Sequence, residues 1–511
     1  MSEQLTGKPT RGPKPAGFLL LALAVAISGC ASLPDEQSRA AMKDVAAVQM
    51  PGEQSAANNL WPQDQWWLAY GDAQLNQLMD EALASSPDLT MAQARLAEAA
   101  AMLGLSTSAL RPDLSLNASV SEEKMTYNGV IPGDFTPQGW NSYGRLGLDM
   151  RWELDFWGKN SAALAAATSE LTAREAEVAQ ARLLLTSAVA SAYAGLNSLT
   201  LSRDTAARSA DVRGKTAELF AKRHQYGMEN IGSVREAEAR RAVAEGVVLA
   251  LDEQIAVMRN QLAALLGAGP ERGLSIGRPA LNLNAHEGVP QHLALDLLGR
   301  RPDIVAARLR VEAQDQAIAS RRAAFYPNVS LTAFVGVQSL GVDNLFDDGS
   351  DIGGVGPAIS LPLFNGGRLR ADLFRSEAHY DQAVAAYNST ITHALQEVAD
   401  VLVRERSLEA RISKAEEAVA AASEAHRVAK NRYEGGLASN LQVLSAEDAL
   451  LISQEALTGL QTQALVLDVA LNKALGGGYQ EPDDSTLAQS PTPMNATSAQ
   501  SDAAAKPIHH L

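Results

Sequence analysis

Two kinds of apolar spacing alternate along this chain, and each occurs twice. Leu114, Leu116, Ala118 and Val120 fall at every second position, as do Leu146, Leu148, Met150, Trp152 and Leu154. Arg145, Asp149, Arg151, Glu153 and Asp155 lie between the latter. A period of two, apolar on one side only, predicts β-strands. Val329, Leu331, Ala333, Val335 and Val337 repeat the first strand. Val355, Pro357, Ile359, Leu361 and Leu363 repeat the second. A seven-residue spacing follows each strand pair: Leu164, Leu171, Val178, Leu185, Ala192, Leu199, and later Leu373, Tyr380, Tyr387, Ala394, Val401, Leu408. That period predicts long helices wound as a coiled coil, over 160–224 and 368–432. About 65 residues at 1.5 Å each make a rod of roughly 100 Å. Glycine breaks at Tyr226-Gly227 and Tyr433-Glu-Gly-Gly436 end them, and return helices are expected over 232–266 and 441–475. Helices over 74–109 and 291–324 precede the strands.

The doubling is a duplication. Pro87 recurs as Pro302 and Pro112 as Pro327, each 215 positions on, whereas Gly227 recurs as Gly436 and Gly267 as Gly476, each 209 on. The six-residue difference falls between Val120 and about Gly158, in the stretch that holds the Gly/Pro-rich loop at 127–143, whose counterpart is 338–354. Chance likeness of Ala-rich helices does not hold an offset constant across Pro, Gly and strand segments. The expected divisions are a signal at 1–29, an extended segment at 30–73, repeats at 74–277 and 291–476, a connector at 278–290 and a disordered tail at 477–511. The expected class is mostly α with a β-barrel part, built on an internally duplicated strand–long-helix unit. Four strands per chain, apolar on one face and charged on the other, cannot stand alone in lipid with open edges. Several chains must pool them. Asp149, Arg151, Glu153 and Asp155 then face a wet barrel lumen. A soluble sheet with its apolar face on a core is the competing arrangement. Trp152, Phe156, Trp157 and Phe364 at strand ends fit an interfacial girdle, or equally the packing of a sheet–helix junction.

The start of the chain adds a compartment. Lys8, Arg11 and Lys14 precede an apolar run at 18–27 that is too short to span a membrane, then Ile27-Ser28-Gly29-Cys30. These four residues resemble the bacterial lipobox, in which the cysteine is acylated and becomes the mature N-terminus. Ala31, not Asp, follows it, which in that resemblance favours the outer membrane. Cys30 is the single cysteine, so no intrachain disulfide forms. Losing 1–29, with three cations and one anion, takes the formal charge from −16 to −18. Such a chain is a poor nucleic-acid binder. Gly273-Leu-Ser275-Ile-Gly277 fits the nucleophile-elbow spacing of serine hydrolases but sits in a Gly/Pro-rich connector without the strand that motif needs.

Read together, the lipobox, Trp66-Trp67 with Tyr70-Gly-Asp72 and Leu75, the run Trp152-Glu-Leu-Asp-Phe-Trp-Gly-Lys159, Arg432-Tyr-Glu-Gly-Gly436 and the duplicated unit resemble the TolC-like outer-membrane factor family, in its NodT-type lipoprotein branch. The resemblance covers about 61–476. It implies a homotrimer with a 12-stranded outer-membrane barrel above a 12-helix periplasmic tunnel, no cofactor beyond the lipid on Cys30, and no catalysis. It implies a passive channel of a tripartite efflux system. The partners would be a periplasmic adaptor and an inner-membrane transporter of the RND type. Protein secretion of type I, or a lipid-anchored coiled-coil adaptor, are the alternatives. In that family the tunnel narrows at the helix turn, here 433–445. Several members carry acidic rings there, whereas this chain has Gln442 and Ser445, so an apolar constriction by Leu441 and Leu444 is the expectation. Ser439-x-x-Gln442 also fits a local capping box.

Overall fold

The structure is a computed structural model and describes residues 39–44, 61–130, 132–281 and 293–482. The expected signal at 1–29 and Cys30 lie outside the described residues, as do most of the connector and the tail beyond 482.

Asp72 opens the first repeat by accepting from the amides of Gln74 and Leu75 at 2.8 and 3.2 Å, which caps α1 (Ala73–Ser85). The single helix expected over 74–109 is two. Proline disfavours helical geometry in the residue before it. Ser86 is accordingly extended, and α2 (Pro87–Ser108) starts afresh. Strands β1 (Asp113–Glu123) and β2 (Asn141–Leu154) follow, then α3 (Lys159–Gln225), α4 (Ile231–Leu265) and the short α5 (Pro270–Leu274). The second repeat runs α6 (Leu293–Arg300), α7 (Pro302–Ala323), β3 (Asn328–Leu340), β4 (Asp351–Ser360), α8 (Arg368–Glu434) and α9 (Asn440–Ala474). Pro302 splits its first helix as Pro87 does, with Arg301 extended. Leu361 and Leu363 fall beyond the end of β4.

The copies agree in length. α2 and α7 have 22 residues each, α3 and α8 have 67, and α4 and α9 have 35. All four long helices stop the same way. The residue after the helix cap is Gly227, Gly267, Gly436 or Gly476, each at positive φ, and the next amide reaches back five residues to a carbonyl: Met228 to Arg223, Ala268 to Ala263, Leu437 to Arg432, Gly477 to Asn472. This is the Schellman arrangement, and only glycine takes that backbone without strain.

α3 packs against α1, α2, α4, α7 and α9, while α8 packs against α7 and α9. One core gathers Leu78, Tyr193, Leu196 and Leu262 around α3. A second gathers Ile304, Val384, Ile391, Val398 and Leu471 around α8. On the heptad line of α8, Leu373, Tyr387, Ala394, Val401 and Leu408 are all buried. Residues 39–44 lie along α7 and α8: the Ala40 amide donates to Asp381, that of Lys43 to Asn388, and Arg39 pairs with Asp315 at 2.7 Å. Packing also continues past the expected end of the second repeat, since the Glu481 amide donates to the Gly299 carbonyl and the Glu481 side chain pairs with Arg308.

The sheet runs β1-β2-β3-β4, antiparallel throughout, with β2 and β3 joining the two repeats. Its register settles the faces. Leu116 opposes Leu148, which opposes Val335; Leu114 opposes Met150, which opposes Ala333 and then Val355. One face is therefore apolar across all four strands, and it is bare: Leu116 is 71% exposed, Val335 61% and Val355 77%. Among the described residues no helix covers it, and the arrangement with that face on a core is not the one these residues adopt. β1 and β4 each keep an edge without a partner among the described residues. Among those residues no helix is long and apolar enough to cross a membrane.

Candidate functional site

The opposite face of the sheet is polar. β1 places Ser115 and Asn117 there, β2 places Arg145, Asp149, Arg151 and Glu153, and β3 places Ser330, Thr332 and Phe334. Asp149 accepts from Asn117 at 2.8 Å and pairs with Arg145 at 3.1 Å. Glu153 pairs with Lys159 at 2.5 Å, across the junction into α3. Asp155, grouped with these by its spacing, lies past the strand and serves the helix instead. Its carboxylate accepts from the amides of Asn160 and Ser161 at 3.0 and 2.7 Å, and from the Ser161 hydroxyl. Burial acts against the Asp155 anion, but these donors outweigh it and hold the carboxyl below its ordinary value.

At the same junction Trp157 stacks on Tyr326 with centroids 4.9 Å apart and donates from its indole to the Pro327 carbonyl, and Trp152 donates to that of Leu110. Phe156 and Phe364 stay exposed. The end-of-strand aromatics thus divide between packing and surface. A cleft of about 620 Å³ opens here, lined among others by Lys159, Arg321, Arg368 and Asp372.

The far ends of the helices form a second site. Here Phe220, Val234, Ala237, Tyr433, Val443 and Leu444 make a small core between the two hairpins. Polar bonds tie the repeats around it. The Tyr433 hydroxyl donates to the Glu229 carboxylate, and Arg223 lies 4.5 Å over the Tyr433 ring while donating to its carbonyl at 3.2 Å. His224 holds the Glu229 carbonyl at 2.8 Å. Asp448 accepts from Arg213 and Arg240 at 2.9 and 2.6 Å, and buried Glu447 accepts from the Thr216 hydroxyl. Burial disfavours the Glu229 anion, but the Tyr433 hydroxyl and the Asn230 amide hold its carboxyl below the usual range. Burial, and next that same carboxylate, push the Tyr433 hydroxyl up.

The expected tip residues separate. Leu441 is 66% exposed, and Gln442 and Ser445 are on the surface. Leu444 is 1% exposed within the small core, because its helical position faces α3 and α4, so it gives packing and not an open surface. Gln442 completes the capping box: the Ser439 side chain accepts from the Gln442 amide, and the Gln442 carbonyl oxygen accepts from the Ser439 amide at 3.3 Å. Ser275 follows the helix α5 and not a strand, and its hydroxyl donates to the Arg272 carbonyl, which removes the nucleophile-elbow reading.

Two repeated blocks, one bare apolar sheet face and paired helical hairpins now have a counterpart among known proteins. The model of the family described as outer membrane efflux protein matches residues 78–268 and 293–477. The chain belongs to the outer membrane efflux protein family. It is similar to the outer membrane protein VceC of Vibrio cholerae, 47% identical with a TM-score of 0.79, covering 82% of this chain and all of that one. It is 37% identical over 367 residues to the fusaric acid resistance protein FusA of Burkholderia cepacia, spanning 70% of this chain and 68% of the relative. It is 29% identical over 461 residues to the multidrug resistance outer membrane protein MdtP of Escherichia coli K12, spanning 89% and 94%. The protein is an efflux protein of the outer membrane. Against that background the sequence pointed to the strands and the turn but missed Glu229 and Arg223. Nothing local marks them, since their partner Tyr433 lies about two hundred residues away. Tyr433 itself stands in the Arg432–Gly436 run that carried the resemblance.

Proposed function

We propose that three copies of this chain join edge to edge, β4 of one beside β1 of the next, into a 12-stranded barrel that passes small solutes outward. The bare apolar face with its two open edges carries this reading. In lipid, unpaired edge groups cost several kcal/mol each, and closure removes them. Strands of 10 to 14 residues suit a tilted crossing of the bilayer. Asp149, Arg151 and Glu153 then line the lumen, and the apolar face meets lipid. The helices extend the passage through the periplasm toward the tip, where Leu441, Gln442 and Ser445 face the way in. Cys30 carries the lipid that tethers the chain. A periplasmic adaptor and an inner-membrane transporter of the RND type supply the solute and the energy; the pore is passive.

Reconstitution of the full, lipidated chain in planar bilayers tests this. Discrete ion-conducting steps are expected. A protein that stays monomeric and water-soluble without detergent, and passes no current, would defeat the proposal.

A further inference from the structure

The middle of the polar sheet face holds an arrangement that neither closure nor stability requires. Phe334 is the aromatic residue among the Ser, Thr, Asn and Gly positions of that face on β3, and it is 41% exposed. Its neighbours across β4 on the same face are Gly354 and Gly356. A Cβ at Gly354 would come within 2.7 Å of the ring, so the ring leans over that glycine, while beside Gly356 there is open space. On the other side the Arg145 guanidinium lies 5.9 Å from the ring centroid. It stretches past Gly147, where a Cβ would touch its Nε at 3.6 Å, to reach Asp149. Asn117 fixes Asp149 in turn. Arg145 Nε is buried and has no hydrogen-bond partner among the described residues. β2 and β3 are the inner strands, so a chain that joins at the β1 or β4 edge pairs with neither of the strands that carry Phe334 and Arg145.

A phenyl ring laid over glycine beside a held guanidinium is a flat, two-part surface. A planar ring stacks on the phenyl, and a guanidinium fork takes a carboxylate. We propose that Phe334 and Arg145, over the Gly354–Gly356 gap, form a subsite for planar aromatic carboxylates on the lumen wall. The subsite rests on the pore reading above. Asp149 and Asn117 position the guanidinium. Three copies around a threefold bore place three such subsites at one depth, where a passing solute meets them together.

The test is current block by 2-naphthoate in planar bilayers holding the full-length protein. Naphthoate is expected to block reversibly, at concentrations about fivefold or more below those needed for cyclohexanecarboxylate or benzylammonium. Phe334→Leu and Arg145→Gln are each expected to weaken the block about fivefold, measured against each variant's own unblocked current, with trimer migration retained. Equal block by naphthoate and cyclohexanecarboxylate in the unmutated protein overturns the subsite, as does no block, or equal block of the unmutated protein and both variants. The first comparison needs no variant to assemble. If the unmutated protein passes no current at all, the pore reading itself fails, a result distinct from a conducting pore that ignores naphthoate.

Discussion

Leu196 on α3 and Glu405 on α8 hold the same place in the two repeats, 209 positions apart, yet Leu196 is fully buried and Glu405 is not. A few residues earlier, Val189 and Val398 are equivalent too, and both are fully buried. The difference lies in the neighbours. α3 is packed by helices of both repeats, whereas among the described residues the helices that pack most closely on α8, α7 and α9, belong to its own repeat. Duplication kept the lengths of the longer helices and the line that faces the partner helix. Position in the protomer then decided what the remaining faces carry: apolar side chains where more helices pack, charged ones where water reaches.

The sharpest break of this comparison is Leu196→Ala against Glu405→Ala. The first is expected to destabilise by about 2–5 kcal/mol and the second by under about 0.5 kcal/mol, read as shifts in the unfolding transition of the detergent-solubilised protein. Equal shifts would mean that the repeats are packed alike. Next in size is Arg301→Ala. This arginine occupies the place of Ser86, and its buried guanidinium binds Asp303 at 2.6 Å, Glu397 at 2.8 Å and the Ala474 carbonyl at 3.1 Å. Its loss leaves those acceptors short of a donor, at a cost of about 2–3 kcal/mol by the same measurement. Ser86→Ala, at the matching place, should move the transition far less.

The tip sets the repeats against one another directly, because Glu229 of one is held by Tyr433 of the other. Tyr433→Phe is expected to remove about 1 kcal/mol and to raise closed-state leakage in bilayers. The bond also carries a pH signature. The Glu229 carboxyl is depressed in the folded chain from the ordinary 4.5, so its contribution is present in full above about pH 4.5 and is lost as pH falls through the lowered value. Leakage of the unmutated protein should therefore climb on acidification below about pH 4.5, and Tyr433→Phe should flatten that climb. The smallest expected effect on stability is that of Leu441→Ala, within about 0.5 kcal/mol, since its side chain is exposed. If it narrows the passage, leakage rises without any loss of stability. Leu444→Ala, inside the small core, should do the reverse and destabilise first.

What the sequence made legible was periodic or local. Alternation gave β1 to β4, heptads gave α3 and α8, and glycine gave the turns, because each signal depends on residues within a few positions of one another. The Ser439–Gln442 capping box is local in the same sense. Pro87 and Pro302 are visible as repeat markers, yet each also turns the residue before it extended, and among the described residues four helices stand where the apolar spacing predicts two. Asp155 continued the strand's alternation one step too far, since period alone does not tell a strand end from a helix cap. Leu444 and Glu229 depended on which face of a helix meets another hairpin. That is set by packing across the two repeats and leaves no trace in local spacing.

The claim on which all else depends is that the open edges of β1 and β4 are closed by other copies of the chain. With Cys30 the single cysteine, a scan of cysteine pairs, one on β1 such as Ser119→Cys and one along β4 from Asp351 to Ser360, reads it directly under mild oxidation. A ladder of covalent dimers and trimers, rising at one register and abolished by detergent denaturation before oxidation, is the predicted result. Monomers alone at every register, in bilayers that carry the protein, would contradict it.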